Sequence, residues 1–277
     1  MSALKWICGL VVLGGIGFGA GWVWPKPTRL TFLSVGQGDC AVFQHAGTTI
    51  LIDAGPKTPT FDAGAKIVVP SLREMGVDGV DLILLSHPDI DHVGGAGSIL
   101  KAYPDAKVAV SACFRQNEQL LGLLRDWGRS PDNVLWLAPE LIGQVGEFKI
   151  RIDCPQTFPD EETNDGSMLV RIEDGRASAV FSGDAPAKIE QAFDRVADWK
   201  SEIMKAGHHG SRSAKSEEWI ESVHPEYAIL SCGINNEYHH PHKEVVDRLQ
   251  ADHVKICRTD KEGDISFVLR NGRFERG

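Results

Sequence analysis

The sequence contains no CxxC pair, and its six cysteines, at positions 8, 40, 113, 154, 232 and 257, follow no regular spacing. That argues against a disulfide framework and against a zinc-thiolate site. Cys8 lies in an apolar segment and reads as an apolar side chain, and the other five read as small buried hydrophobes. A location outside the cytoplasm would leave room for a disulfide among them. Basic residues are also scarce: 29 Lys and Arg stand against 38 Asp and Glu, a formal net charge of -9. This balance argues against an extended electrostatic grip on nucleic acid, which needs clustered cations, but permits a local site for one phosphodiester. Histidine is absent between His92 and His208. Seven of the ten histidines fall in three short stretches, at 87 and 92, at 208 and 209, and at 239, 240 and 242.

A chain of 277 residues can bury a full core, as one large α/β domain or two small ones. Its start differs from the rest. Residues 6–24 carry no charge and lie between Lys5 and Pro25-Lys26-Pro27. This stretch is long enough to cross a bilayer as a helix. An uncleaved anchor is favoured over a signal peptide, whose apolar region is normally shorter and followed by a small-residue cleavage site; Gly17-Phe18-Gly19-Ala20 is a poor one. Lysines on both flanks leave the orientation undecided by charge. The expected division is residues 1–26 as membrane anchor or signal segment and 27–277 as the catalytic domain.

Hydropathy patterning predicts strands at 30–35, 41–44 and 49–53, a helix at 67–75, a strand at 80–85, and strands at 107–110 and 134–137 flanking a helix at 118–127. Strands follow at 148–153, 168–172 and 177–181, then a helix at 185–196 and a strand at 202–206. Helices at 216–223 and 244–249 alternate with strands at 227–231, 254–257 and 265–269. Strands and helices interleave in both halves, without sequence repetition. The acidic, Pro-containing stretch 159–165 is expected to be an exposed loop.

The most informative stretch is Ser86-His87-Pro88-Asp89-Ile90-Asp91-His92-Val93-Gly94-Gly95, which follows the aliphatic run at 80–85. Imidazole and carboxylate are ligands for divalent cations, and crowding them on one loop at a strand's end makes sense when a cation neutralises the carboxylates. Three more polar motifs follow predicted strands. Ser182-Gly183-Asp184 offers a lone carboxylate, which alone could equally cap a helix. Lys205-Ala206-Gly207-His208-His209-Gly210-Ser211 offers two histidines. On an extended backbone adjacent side chains point to opposite sides, so one of His208 and His209 is expected to be a ligand and the other to pack or brace it. In the stretch 231–242, the histidines could contact a substrate phosphate or protonate a leaving group. Upstream, Val35-Gly36-Gln37-Gly38-Asp39 has the form of a tight hairpin whose glycines would let backbone approach a metal-bound substrate.

Together these motifs, with Asn164-Asp165-Gly166-Ser167 and Asn236-Glu237-Tyr238-His239-His240-Pro241, resemble the metallo-β-lactamase fold, and within it the soluble hydrolase domain of ComEC-type competence proteins. The resemblance covers nearly everything from Leu30 onward. It implies a four-layer αββα sandwich with two divalent metal ions, Zn or Mn, at one edge of the sheets. By position it assigns His87 and Asp89 to one metal, Asp91 and His92 to the other, Asp184 as the bridge, and His208 or His209 to complete the shell. Two departures matter. Asp89 stands where most members have histidine, and the usual histidine before the bridging aspartate is missing, a space that Asn164, Asp165 or Ser167 could fill. Oxygen in place of imidazole makes the site harder and raises Mn²⁺ as a rival to Zn²⁺. In addition, Ser34 occupies a position where ComEC-like domains often carry Asp. The many membrane spans of full ComEC are not in this chain.

The resemblance thus implies a metal-dependent phosphodiesterase or nuclease acting on DNA outside the cytoplasmic membrane, tethered by residues 6–24. Asp91 would orient the attacking hydroxide, and His240, His242 or Tyr238 would assist the leaving group. Asp39, Asn164, Ser167, Ser211 and His242 are the expected substrate contacts, and no protein partner is evident. The alternatives are hydrolysis of a small phosphate ester such as a phosphorylcholine ester, or a metal-bound, non-catalytic module that binds DNA.

Overall fold

The computed structural model describes residues 27–156, 162–195, 197–214 and 217–277. The apolar segment at 6–24, Cys8, and the acidic stretch at 157–161 lie outside the described residues. Among the described residues no helix is long and apolar enough to cross a membrane.

Strict alternation of apolar residues sets the layers. In the strand Thr48–Ile52, Ile50 and Ile52 face one core while Leu51 faces another; in Leu82–Leu85, Leu82 and Leu84 are separated in the same way from Ile83 and Leu85. Strands apolar on both faces must be covered on both faces. Two sheets supply one cover. The first has eight strands in the order Arg273–Arg276, Ile265–Arg270, Arg29–Phe32, Ala41–His45, Thr48–Ile52, Leu82–Leu85, Lys107–Ser111 and Val134–Leu137. The second has seven, in the order Lys255–Arg258, Tyr227–Leu230, Ile203–Lys205, Ala177–Phe181, Leu169–Asp174, Phe148–Asp153 and Glu140–Val145.

Between the sheets lies an aromatic core in which Phe32 stacks on Phe181 with centroids 5.7 Å apart, and Phe43 meets Phe148 edge-on at 5.6 Å. Helices Val69–Glu74, Ala96–Ala102 and Glu118–Asp126 cover the outside of the first sheet through Leu72, Ile99, Leu120 and Leu124. Helices Ala187–Asp194, Glu217–Val223 and Lys243–Ala251 cover the second through Trp219, Ile220 and Leu249. The result is the αββα sandwich.

Four adjacent strands in each sheet run parallel: from Thr48–Ile52 to Val134–Leu137 in the first, and from Ala177–Phe181 to Lys255–Arg258 in the second. Their C-terminal ends carry the polar loops, the usual place for a site in such sheets. One expected loop is corrected here. Thr163–Gly166 forms a tight helical turn in which Asn164 and Asp165 are half-buried and Gly166 is buried, because Gly166 lies so close to the ring of Phe114 that a Cβ would stand 2.2 Å from it. The described cysteines are free thiols, four of them buried and Cys113 half-buried.

Candidate metal centre

Asp53 ends one parallel strand and Ser86 its neighbour, and this adjacency builds the first half of the site. Asp53 Oδ1 accepts from the Ser86 amide at 2.8 Å, and Oδ2 accepts from Ser86 Oγ at 2.9 Å and from His92 Nδ1 at 2.8 Å. Because the Ser86 hydroxyl proton goes to Asp53, its oxygen accepts from His87 Nδ1, 3.0 Å away. Both imidazoles are thereby held with Nδ1 protonated and Nε2 turned inward. Both Nε2 atoms are buried and have no hydrogen-bond partner among the described residues. Asp53 itself has φ of 60°, a left-handed conformation that a non-glycine residue adopts at some cost.

Asp89 directly precedes the short helical turn Ile90–Val93, and Asp91 lies within it. Asp89 Oδ2 lies 3.6 Å from His87 Nε2, and its Oδ1 accepts from Thr163 Oγ1 at 2.6 Å. Asn164 Oδ1 and Ser167 Oγ, on the same turn as Thr163, are buried without partners among the described residues, and Asp165 pairs with Lys188. Asp89 and Asp91 remain about a third exposed, at 35% and 31%, so the cluster opens to solvent on this side. The backbone of Asp91 is pinned by the Gly36–Asp39 loop. A Cβ on Gly38 would stand 2.3 Å from the Asp91 carbonyl oxygen, which accepts from Asp39 N at 3.3 Å. The glycine is therefore needed for the close approach of this loop to the Asp91 backbone.

The second sheet supplies Asp184, Lys205, His208 and His209. The expectation of an extended backbone at the paired histidines fails: φ is 47° at His208 and 55° at His209, two successive left-handed residues. This curl turns both rings to one side. His209 Nε2 lies 3.2 Å from Asp91 Oδ2 and 3.4 Å from Asp184 Oδ2, and His208 Nε2 lies 3.6 Å from Asp184 Oδ2. His209 is buried and donates from Nδ1 to the Ser231 carbonyl at 2.9 Å, while His208 is 28% exposed, its Nδ1 against Ser213 Oγ. His92 Nε2 stands 3.2 Å from Asp184 Oδ1 without the alignment of a hydrogen bond.

Asp39, expected at the substrate, is buried behind these rings, 3.7 Å from His92 Nδ1 and 3.5 Å from His209 Nδ1. It forms a buried ion pair with Lys205, whose Nζ also donates to the Gly183 carbonyl at 3.1 Å and lies 3.6 Å from Asp184. Burial opposes charge at Asp39, Asp91, His92, Asp184, Lys205 and His209, yet each stays charged through its neighbours. Asp184 is held well below the usual carboxylate range by His209 and His92, and Asp91 is brought down to about 2 by His92 and His209. Conversely, Asp184 and Asp39 raise His209 to about 9, and Asp184 and Asp53 raise His92 far above its ordinary value.

The loop 231–242 borders the cluster. His240 is buried, its ring 5.7 Å from that of His208 and 6.2 Å from that of His209, and burial with these neighbours lowers it to about 4. Tyr238 is exposed and stacks on His240 at 5.7 Å. His242 Nδ1 accepts from the Arg212 amide at 3.1 Å, and Ser211 Oγ from the Ser213 amide at 3.3 Å. Both thus shape the turn after the histidine pair.

A protein-family model described as the metallo-beta-lactamase superfamily matches residues 33–234. The chain belongs to that superfamily. Among curated relatives, it is 29% identical to ComE operon protein 3 of Bacillus subtilis over 88% of this chain and 33% of that one. It is 28% identical to Competence protein ComA of Neisseria gonorrhoeae over 95% and 35%. The chain thus spans about a third of the length of these relatives. In structure it is similar to the metallo-beta-lactamase fold protein YhfI of Bacillus subtilis, with TM-score 0.59 and 12% identity over 86% of this chain and 99% of that one.

The donor set fits a divalent cation. Asp39, His92, Asp184 and His209 each place a ligand atom within 4.8 Å of the others, and unpartnered buried atoms of His87, His92 and Asp184 are what a cation would satisfy. Asp39 faces the Nδ1 edges and is neutralised by Lys205, so the inward-facing donors are His92 and His209 through Nε2 with Asp91 and Asp184, and beside them His87 and Asp89. Asp53, Lys205 and Gln37 escaped the sequence reading. Lys205 and Gln37 lay inside motifs quoted for other residues, and Asp53 ends a strand with no motif of its own. Cavities of about 700 Å³ near Pro27 and Met75 and about 690 Å³ near Leu135 and Leu141 lie away from this cluster.

Proposed function

We propose that the domain is a two-metal phosphodiesterase acting on DNA, tethered by residues 6–24 with its catalytic face outside the cytoplasmic membrane. The observation that carries the reading is the pair of inward Nε2 atoms on His87 and His92, each fixed by a hydrogen bond at Nδ1 and each beside carboxylates against which, among the described residues, Lys205 is the single lysine or arginine. Asp39, Asp53, Asp89, Asp91 and Asp184 set five negative charges against one lysine. The remaining four match two divalent ions when the imidazoles are neutral. The oxygen-rich set suits Mn²⁺ as well as Zn²⁺.

Bound there, divalent ions supply hydroxide at neutral pH and neutralise charge on phosphate oxygens. The chain's own residues do the rest. Asp91, reachable from solvent at the mouth of the cluster, is placed to accept a proton from an attacking water. His240, neutral beside the cluster, contacts the substrate, and Tyr238 extends that surface outward. Asn164 and Ser167 complete the oxygen ligands beside Asp89 in place of the missing histidine. The names of the competence relatives support DNA as the substrate, and the solvent-open cluster suits a chain-like ligand better than a closed pocket would.

The net charge of -9 favours a second reading, hydrolysis of a small phosphate ester, since little cationic surface is available for a polymer. Hydrolysis of labelled single-stranded DNA by the full chain in detergent, with Mn²⁺ or Zn²⁺ and with Asp91→Ala in parallel, separates the two. Cleavage that the variant loses supports the nuclease. No cleavage of DNA with either metal, alongside turnover of a phosphorylcholine ester, would establish the second reading instead.

A further inference from the structure

The amide of Gln37 has one orientation. Its Oε1 lies 3.1 Å from the backbone N–H of Gly233, which can only donate, so the other terminal atom is the NH₂ group. That nitrogen lies 3.4 Å from His240 Nδ1. An amide nitrogen donates and does not accept, so Nδ1 of His240 is the acceptor, and a neutral imidazole with Nδ1 accepting carries its proton on Nε2. The backbone of His240 is fixed independently. Asn236 Oδ1 accepts from His240 N at 2.9 Å, and its Nδ2 donates to the carbonyls of His240 at 2.8 Å and Gly233 at 3.0 Å. Gly233 packs so closely on the Gln37 loop that a Cβ would stand 2.9 Å from Gln37 N. Among the described residues nothing hydrogen-bonds Nε2 of His240.

This polarity is opposite to that of the inward-facing histidines. His87 and His92 meet an acceptor at Nδ1, which leaves the Nε2 lone pair free for a metal. We propose that Gln37 is a positioning residue that fixes His240 as the Nε2–H tautomer, so that this histidine serves as a hydrogen-bond donor to a substrate oxygen and not as a metal ligand. The identity of that oxygen, one on a phosphodiester, rests on the function proposed above; the tautomer does not.

Gln37→Glu tests it. The glutamate keeps an acceptor for Gly233 N–H but presents an acceptor to His240 Nδ1, and so inverts the tautomer at nearly constant shape. The readout is the two-bond proton–nitrogen NMR correlation of ¹⁵N-histidine-labelled, Zn²⁺-loaded full chain in detergent, with His240→Asn to assign the resonance. The parent is expected to show Nε2 protonated, and Gln37→Glu to show Nδ1 protonated while the His87 and His92 signals stay in place. Turnover of bis(p-nitrophenyl) phosphate by Gln37→Glu is expected to fall on the order of a hundredfold in kcat, the usual effect of losing one oriented donor, with Gln37→Asn retaining more than Gln37→Leu. A parent His240 protonated at Nδ1, or a Gln37→Glu protein with the parental tautomer, overturns the inference. A parent that does not hydrolyse the diester counts against the phosphodiesterase reading, while the spectra still decide this one.

Discussion

Asp53 Oδ2 accepts the Nδ1–H of His92 at 2.8 Å, and both side chains are almost wholly buried. The aspartate directly follows the strand Thr48–Ile52 and the histidine lies in the turn Ile90–Val93 past the neighbouring strand, so the pairing of two parallel strands sets the direction of the inward-facing nitrogen.

Asp53→Asn is therefore expected to lower affinity for Mn²⁺ or Zn²⁺ by about 10- to 100-fold, the range seen when the partner behind a histidine ligand is changed. The amide keeps an oxygen for one donor but offers an NH₂ group to the others. Competition with a chromophoric chelator measures the loss, and circular dichroism checks the fold. Parental affinity in the variant would remove Asp53 from the metal centre.

His208 and His209 are expected to separate in the same assay. His209 is buried, with Nε2 between Asp91 and Asp184, whereas His208 is partly exposed and reaches only Asp184, at 3.6 Å. His209→Ala should weaken metal binding by more than about 100-fold, beyond the range for a residue behind a ligand, and His208→Ala by less than about 10-fold. Equal losses would show that both rings bind metal.

Metal uptake is expected to release protons. In the metal-free protein burial disfavours the His209 imidazolium, but Asp184 and Asp39 outweigh it and raise the group from 6.5 to about 9, so at pH 7 it is protonated and metal must displace that proton. Its contribution to stability is full below pH 6.5 and is lost as the pH rises through 9. Asp91 works in the other direction: its contribution is present above pH 3.8 and is lost as the pH falls through about 2. Thermal melts in chelator should then peak between these limits and decline towards pH 9, while calorimetric metal affinity rises over the same alkaline interval. Affinity independent of pH from 6.5 to 9 would contradict this account.

Stacking into four layers was implied by the resemblance alone, whereas most strands were legible because strands buried on both faces leave nearly unbroken apolar runs, as at 82–85 and 177–181. The strands Glu140–Val145 and Arg273–Arg276 were not, for a physical reason. In the first, Gly143 and Gln144 interrupt the apolar pattern and Ile142 is 69% exposed on an edge; in the second, Phe274 is the single buried residue. The dense cluster from His87 to His92 announced itself by composition. The curl at His208 and His209 did not, because left-handed backbone at two successive histidines is imposed by surrounding contacts and not by local preference. Lys205 sits in a strand that reads as buried, where a lone cation has no sequence pattern to mark it.

Lys205 provides the last test. It is 3% exposed and lies between Asp39 and Asp184, which together outweigh burial and keep its amine charged. Replacing it with methionine preserves much of its volume but leaves Asp39 buried without its ion pair. The expected loss for the metal-free protein is about 3 kcal/mol or more, because a buried charge stripped of its partner costs more than the pair contributed. Asp39→Asn in the same background should recover much of that loss, since it removes the orphaned charge. The double-mutant cycle, read by chemical denaturation, should therefore show strong coupling between the two positions. Metal should rescue Lys205→Met only in part, because Asp39 faces the Nδ1 edges of His92 and His209 and not the inward donors. Full rescue by metal alone would mean that Asp39 can swing inward and act as a ligand.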